Sequence, residues 1–167
     1  MSIAMTKRLA LRELIPDDAQ SFYDLNSDPD VLQYTGDNVF DSVAGARSFL
    51  ANYVAVYGKH GVGRWAVISK EDEAFLGWCG LKYSEDTKVY DLGFRFFKKY
   101  WGCGYATEAA IACVSLGFST HNIPKIIGRA MEANSASIRV LEKAGFTFET
   151  FFDFEGEDGV IYKIQRQ

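Results

Sequence analysis

The alternation of apolar and polar residues along the chain predicts several short strands. Leu9 and Leu11 alternate with less apolar neighbours, as expected in a first strand. Further strands are expected at residues 64–69, 75–83, 88–97, 125–131, 146–154 and 160–165. The last two flank residues 155–159, whose final Asp-Gly pair predicts a hairpin turn.

Apolar residues at helical spacing predict helices between these strands. Pro16, followed by Asp17 and Asp18, starts the first helix, because proline suits the first turn and acidic side chains suit the positive helix end. A second helix is expected to open at residues 41–42 and to run to about Tyr57. The residues expected on its buried side are Phe49, Leu50, Tyr53 and Val54.

The order of these elements predicts the fold class. Antiparallel strands come first, one strand–helix–strand crossover follows within residues 88–131, and a hairpin comes last. A crossover joins parallel neighbours, so the sheet should be mixed but mostly antiparallel. With no repeat or linker, we expect a single α/β domain over residues 1–167, in which a twisted sheet carries helices on both faces.

Composition and charge disfavour several classes of protein. Hydrophobic residues make up 48% of the chain, which is typical of a packed globular domain. The net charge is −4 and no run of Lys and Arg exceeds a pair, which argues against nucleic-acid binding. No apolar stretch reaches the ~18 residues of a membrane span. Three cysteines without a C-x-x-C pattern predict a cytoplasmic protein with reduced thiols, and two histidines without metal-ligand spacing predict no metal site.

The most informative segment for function is a glycine turn within residues 100–110, which read Tyr-Trp-Gly-Cys-Gly-Tyr-Ala-Thr-Glu-Ala-Ala. A strand is expected before it and a helix with a face of small residues after it. Strand, turn and helix together aim backbone N–H groups and a positive helix end at one point, where a phosphate or pyrophosphate binds. A glycine turn that only connects a strand to a helix and binds no ligand has the same pattern. The P-loop and G-x-G-x-x-G patterns are absent, which disfavours an NTPase or a dinucleotide dehydrogenase.

A further short helix is expected from Asn134, with Gly145 at its end. At this point the chain resembles the GNAT superfamily of acyl-CoA N-acyltransferases. The family's Q/R-x-x-G-x-G/A element matches residues 101–106, with Trp101 in the first place, and its N-x-x-[SA] stretch ending in K-x-G-F matches residues 134–146. Residues 7–19 and 76–81 are similar to the branch that contains the ribosomal-protein N-terminal acetyltransferases.

The resemblance implies that acetyl-CoA is the cosubstrate and that main-chain groups hold most of it. In the family the strand before the turn pairs with the pantetheine arm, which here corresponds to Phe94, Arg95 and Phe96, and Gly93 is expected to form a bulge that separates this strand from the next. Asn134 would bond the pantetheine or cap its own helix. The residues that would hold the pyrophosphate are Gly102, Cys103, Gly104, Tyr105, Ala106 and Thr107.

The implied reaction is direct attack of a primary amine on the thioester, without an acyl-enzyme. Asp91 is the first candidate base, because proteins that resemble this chain often have glutamate there, and Glu132 is the second; each is alternatively a structural or solvated carboxylate. Many relatives have a tyrosine acid where this chain has Leu141. Ser137, one helical turn earlier, is the candidate proton donor and is alternatively a capping serine. Glu108 should point away from the phosphates.

The sequence does not decide the acceptor, since a protein N-terminal α-amine and a small-molecule amine both fit. It does not decide between a monomer and a homodimer either. A CoA-binding module whose chemistry has lapsed is the alternative, because the usual tyrosine is absent at Leu141. Four aromatic residues are candidates for the wall of the acceptor site, although core packing explains each of them as well: Tyr34, Trp78, Tyr83 and Phe152.

Overall fold

The strands of the computed structural model, which describes residues 1–167, form one sheet of eight strands. Their order across the sheet is β1-β2-β3-β4-β5-β6-β8-β7, and only the β5–β6 pair is parallel. The strand bounds are β1 Ser2–Met5, β2 Leu9–Glu13, β3 Arg64–Ser69, β4 Phe75–Ser84, β5 Val89–Phe96, β6 Lys125–Met131, β7 Thr147–Phe154 and β8 Glu157–Gln165.

Helices cover both faces of this sheet. They are α1 Ala19–Leu25, α2 Pro29–Leu32, α3 Val43–His60, α4 Tyr105–Ser119 and α5 Ser135–Lys143, with short 3-10 turns at Pro16–Asp18 and Lys98–Tyr100. Helices α1 and α3 pack on what we call the first face, in a cluster that takes Ala66, Ile68 and Trp78 from the sheet. Helices α4 and α5 pack on the second face, over the main core. The predicted fold class is therefore confirmed.

The parallel pair separates soon after it forms. Helix α4 is the crossover between β5 and β6, and the two strands pair only at Tyr90, Asp91 and Leu92. Beyond this point β6 continues beside β8, whereas β5 continues beside β4. The predicted bulge at Gly93 is wrong, because β5 stays in register with β4 there. A gap in the sheet therefore opens between β5 and β6 without a bulge in either strand.

The closing hairpin turns three residues earlier than the Asp-Gly pair predicted. Glu155 and Gly156 form the turn with φ values of 51° and 90°, as a two-residue type I′ turn requires. Asp158 and Gly159 lie inside β8 instead. Gly159 is needed there because the ring of Phe152 packs across it, and a Cβ would come within 2.6 Å of that ring.

Two further features of the structure differ from the sequence predictions. Strand β1 was not predicted, since four residues at the sheet edge carry too weak an alternation. On α3 the buried residues are Ala46, Leu50 and Tyr57, whereas Phe49 and Val54 are 43% and 39% exposed. Ala46 is fully buried, in the same cluster as Ala66 of β3. Of the four predicted residues, Leu50 is therefore buried and Tyr53 half-buried, whereas the prediction is wrong for Phe49 and Val54.

Candidate active site

A cavity of about 360 Å³ lies where β5 and β6 separate. Its walls come from residues 30–35, the end of β5, the glycine turn with the start of α4, and α5. All of the predicted site residues except Asp91 and Cys103 line it: Phe94, Arg95, Phe96, Gly102, Gly104, Tyr105, Ala106, Thr107, Asn134 and Ser137. The fold thus brings residues from three distant segments to one cavity.

The glycine turn aims the start of α4 at this cavity. Gly102 and Gly104 have φ values of 72° and 81°, in the left-handed region that other residues rarely adopt. Gly104 precedes the first residue of α4 and has no side chain to cap it, so the first N–H groups of this 15-residue helix have no capping partner from that residue. Free N–H groups and the positive helix end favour an anion here.

Arg8 contacts the glycine turn, and the sequence analysis did not predict this contact. Its guanidinium donates to the carbonyl oxygen of Cys103 at 2.9 Å and lies 4.4 Å from the ring centre of Tyr105. Its Nε also donates to Glu108 at 2.7 Å, across a separation of 100 residues. Nothing in the local pattern around Arg8 indicates this contact, because it depends on how β2 lies against α4.

Glu108 points away from the cavity, as predicted. Its Oε1 accepts hydrogen bonds from Thr6 Oγ1 at 2.6 Å and from the Arg8 backbone N–H at 2.8 Å. Burial by itself raises the pKa of Glu108, but the hydrogen bonds from Thr6 and Arg8 outweigh it, and the pKa lies below its ordinary value. The carboxylate therefore anchors the first turn of α4 without opposing an anion in the cavity.

Main-chain groups of β5 are left free at the gap. The N–H of Phe97 bonds to Leu76 on β4, and main-chain groups alternate between the two sides of a strand. The groups of Arg95 therefore face β4, and those of Phe94 and Phe96 face the gap. Trp101 Nε1 donates to the Phe96 oxygen at 2.9 Å, so Phe94 offers the freer edge for an extended ligand.

Helix α5 presents two polar residues to the cavity. Asn134 caps the helix, since its side-chain oxygen accepts from the Ser137 N–H at 3.2 Å, and its amide nitrogen is left for a ligand. The Ser137 hydroxyl makes no hydrogen bond within the protein and is free to meet a ligand. Leu141 is 2% exposed and packs against Gly128 of β6, so that position supplies no acid.

Asp91 lies outside the cavity lining, on the first face of the sheet. Its Oδ1 accepts from Arg64 Nη2 at 2.7 Å, and its Oδ2 is 3.7 Å from Arg129. Both guanidinium groups come from other strands and were missed by the sequence analysis. The role of Asp91 as a base stays a prediction, and the structure adds that an arginine orients its carboxylate.

A second cavity of about 580 Å³ adjoins the first one. The two cavities share Gln33 and Tyr34 in their walls. The other residues of the second cavity come from the end of β6 and the β7–β8 hairpin: Met131, Glu132, Ala133, Glu157 and Asp158. Its lining contains three carboxylates and no basic side chain, so a positively charged group is favoured there.

Of the aromatic residues predicted for the acceptor wall, only Tyr34 lines either of these two cavities. The guanidinium groups of Arg64 and Arg95 lie 5.4 and 5.3 Å from the ring centre of Trp78. The other two pack within the protein, Tyr83 against Tyr90 and Phe152 over Gly159. None of these three residues lines either cavity, so the core-packing alternative applies to each of them.

None of the helices is long and apolar enough to cross a membrane. No group of three or more His, Cys, Asp and Glu side chains converges to hold a metal ion.

The comparisons with known proteins agree with this geometry. Residues 8–147 match the family described as Acetyltransferase (GNAT) domain. The N-acetyltransferase YnaD of Bacillus subtilis is 31% identical over 88% of this chain and 84% of its own length. A GNAT-family acetyltransferase from Bacillus anthracis has a TM-score of 0.83 at 28% identity, covering 99% of this chain and 98% of that one. The ribosomal-protein-S5-alanine acetyltransferase from Vibrio fischeri shares the fold, with a TM-score of 0.84 at 16% identity over 99% and 96% of the two chains. The chain therefore belongs to the GNAT family and is an acetyl-CoA-dependent acetyltransferase.

Proposed function

We propose that the protein transfers the acetyl group of acetyl-CoA to a primary amine by direct attack, without an acyl-enzyme. The observation that carries this proposal is the shared wall of the two cavities at Gln33 and Tyr34. One cavity has the features of a CoA site and the other has those of an ammonium site. Two substrates that occupied them would meet at this wall, as a direct transfer requires.

The first cavity fits acetyl-CoA part by part. The N–H groups of residues 102–107 would hold the pyrophosphate at the start of α4. The free edge of Phe94 and Phe96 would pair with the pantetheine amides, much as an added strand does. The Asn134 amide would donate to the same arm, and the free Ser137 hydroxyl would reach the sulfur. We therefore assign Ser137 as the proton source for the leaving thiolate.

The second cavity fits the acceptor amine. Carboxylates of Glu132, Glu157 and Asp158 attract an ammonium group, which must then lose a proton before it attacks. An α-amine with a pKa of about 8 costs less than about 1 kcal/mol to deprotonate near neutral pH, whereas a lysine-like amine with a pKa of about 10.4 costs about 4 kcal/mol. Asp91, acting through water, and Glu132 are the candidate bases for this step.

The acceptor class is part of the proposal. The ribosomal-protein acetyltransferase fold that this chain shares supports a protein N-terminus, and the low cost of deprotonating an α-amine supports it too. A small-molecule amine remains the second acceptor class. The buried Leu141, which replaces the usual tyrosine acid, is the observation that favours the alternative of a CoA-binding module without turnover.

Calorimetry with acetyl-CoA, combined with thiol release across a panel of small amines and short peptides, tests the proposal. Binding and amine-dependent thiol release are expected. Binding without release for every amine would contradict the transfer and favour the CoA-binding module. No binding at micromolar concentration would contradict the assignment of the first cavity.

A further inference from the structure

On the first face of the sheet, the strand residues that pack beneath α1 and α3 come from β3 and β4. The apolar cluster beneath α1 and α3 contains no residue from β5 to β8. Tyr162 and Ile164 of β8 point to the second face and pack against the main core. Ile127 of β6 and Ile161 of β8 do not belong to that core. The far half of the first face therefore has no helix over it, although Ile127 within it is only 5% exposed.

Basic side chains surround this uncovered surface, which we call the open face. The register places Lys82 beside Asp91, Asp91 beside Ile127, and Ile127 beside Lys163, so their side chains point the same way. The basic side chains that define the open face are Arg64, Lys82, Lys125, Arg129 and Lys163.

The open face has an excess of positive charge on a chain whose net charge is −4. Its carboxylates are Asp91, which Arg64 and Arg129 approach at 2.7 and 3.7 Å, and Glu149, which Lys125 and Lys163 approach at 2.6 and 3.5 Å. Each carboxylate is thus shared by two basic groups. Lys82 is exposed and has no carboxylate within ion-pair distance.

The open face begins where the second cavity ends. Met131 lines that cavity, and Arg129 follows two residues down β6 on the same side of the strand. Extended chains rise about 3.3 Å per residue, so a peptide with its amine in the second cavity would bring its third residue beside Arg129. Its fifth residue would lie over Ile127, which has Lys163 on one side and Asp91 on the other, with Lys82 on the next strand beyond Asp91.

We propose that the open face docks the N-terminal segment of an acidic polypeptide acceptor, with carboxylates at about its third and fifth residues. This inference rests on the proposed function and names the acceptor class for it. Charge complementarity supports it at both ends: the terminal ammonium meets the carboxylates of the second cavity, and the acidic side chains meet the basic rim. A nucleic acid fits less well, because its phosphates would also approach Glu132, Glu157 and Asp158.

Heptapeptides with free N-termini test the proposal when they carry glutamate, lysine or glutamine at positions three and five. With thiol release as the readout, we expect kcat/KM for the glutamate peptide to exceed that for the lysine peptide at least about tenfold at low salt. The preference should shrink as salt rises, since charges are screened over about 8 Å at physiological ionic strength.

Charge reversal on the protein makes the test specific. The double variant Lys82→Glu with Arg129→Glu should invert the order of the glutamate and lysine peptides. Because Arg129 also approaches Asp91, Lys82→Glu alone supplies the same test on a side chain without an ion pair. Lys7→Glu is the matched control, since Lys7 is an exposed lysine between β1 and β2 at the opposite edge of the sheet, and it should keep the order.

The outcomes separate this inference from the proposed function. Equal turnover of all three peptides, or turnover of small amines without any peptide, would overturn the acidic acceptor while leaving the amine transfer intact. Binding of an RNA oligonucleotide that Lys82→Glu abolishes, with no peptide preference, would assign the open face to a nucleic acid and overturn the inference. No thiol release with any amine would overturn the proposed function, and the acceptor inference with it.

Discussion

Arg64 donates a hydrogen bond of 2.7 Å to Oδ1 of Asp91, beside the point where β5 and β6 separate. The same guanidinium bonds the main-chain oxygens of Gly80 and Asp91 at 2.7 and 3.0 Å. It also lies across Gly93, where a Cβ would come within 2.7 Å of it. Gly93 is therefore required by the arginine, and the arginine orients the carboxylate that the sequence analysis proposed as the first candidate base.

Asp91→Asn tests that assignment. We expect kcat to fall about tenfold to a hundredfold and the acidic limb of the pH profile of kcat/KM to disappear, because an amide does not accept the proton. The variant also leaves the half-buried Arg64 without its ion-pair partner, which should cost about 3 kcal/mol of unfolding free energy. Urea unfolding therefore accompanies the kinetics, and a pH profile that stays unchanged in the folded variant would contradict the role.

Gly102→Ala should weaken acetyl-CoA binding about tenfold, because alanine strains the left-handed turn and disturbs the N–H groups at the start of α4. Gly156→Ala is the matched control. Both glycines have positive φ, at 72° and 90°, and a Cβ would meet nothing within 4 Å at either position. Both variants should therefore lose a similar amount of stability, about 1 kcal/mol. If calorimetry showed equal acetyl-CoA affinity for the two variants, the glycine turn would have only a structural role and would not bind acetyl-CoA.

Ser137→Ala should lower kcat about tenfold or more with little change in the KM for acetyl-CoA, because the hydroxyl is needed only when the thiolate leaves. Ser135→Ala provides the comparison, since Ser135 lies at the start of the same helix but does not line the cavity. Steady-state kinetics on both variants decide the point. Equal kcat values for the two serine variants would exclude Ser137 as the proton source.

Glu108→Gln should show how the carboxylate stabilises the fold as pH changes. The folded-state pKa of Glu108 lies below its ordinary value of 4.5. Its contribution is therefore complete above about pH 4.5 and is lost as the pH falls through the folded-state value. Urea unfolding should show the variant about 2 kcal/mol less stable at pH 7, with a smaller difference at pH 3. A difference that did not shrink in acid would assign the loss to packing.

Tyr34→Ala should raise the KM for the amine about fivefold or more, because the ring forms the wall shared by the two cavities and its loss removes contacts with the acceptor. Tyr83→Ala is the control, since Tyr83 lines neither cavity. The KM for the amine at saturating acetyl-CoA is the measurement. If both variants changed this KM alike, the second cavity would not be the acceptor site.

The local elements around the cavity were predictable from the sequence. Strand, glycine turn and helix at 89–119 follow from side-chain periodicity and from glycines at the two positions that need positive φ. The Asn134 cap is equally local, since a capping side chain bonds its own helix within three residues. These signals are short in sequence, so a linear reading detects them.

Contacts between distant segments were decided only by the tertiary structure. Arg8 reaches Glu108 across 100 residues, and Arg64 reaches Asp91 across 27. The second cavity joins residues 33–34 with residues 131–133 and the hairpin of β7 and β8. Each depends on strand order and on the angle at which helices meet the sheet, which side-chain periodicity does not specify. The sequence by itself therefore determined the glycine turn and its helix, whereas the sheet order decided what supports that turn, what orients Asp91 and which residues line the second cavity.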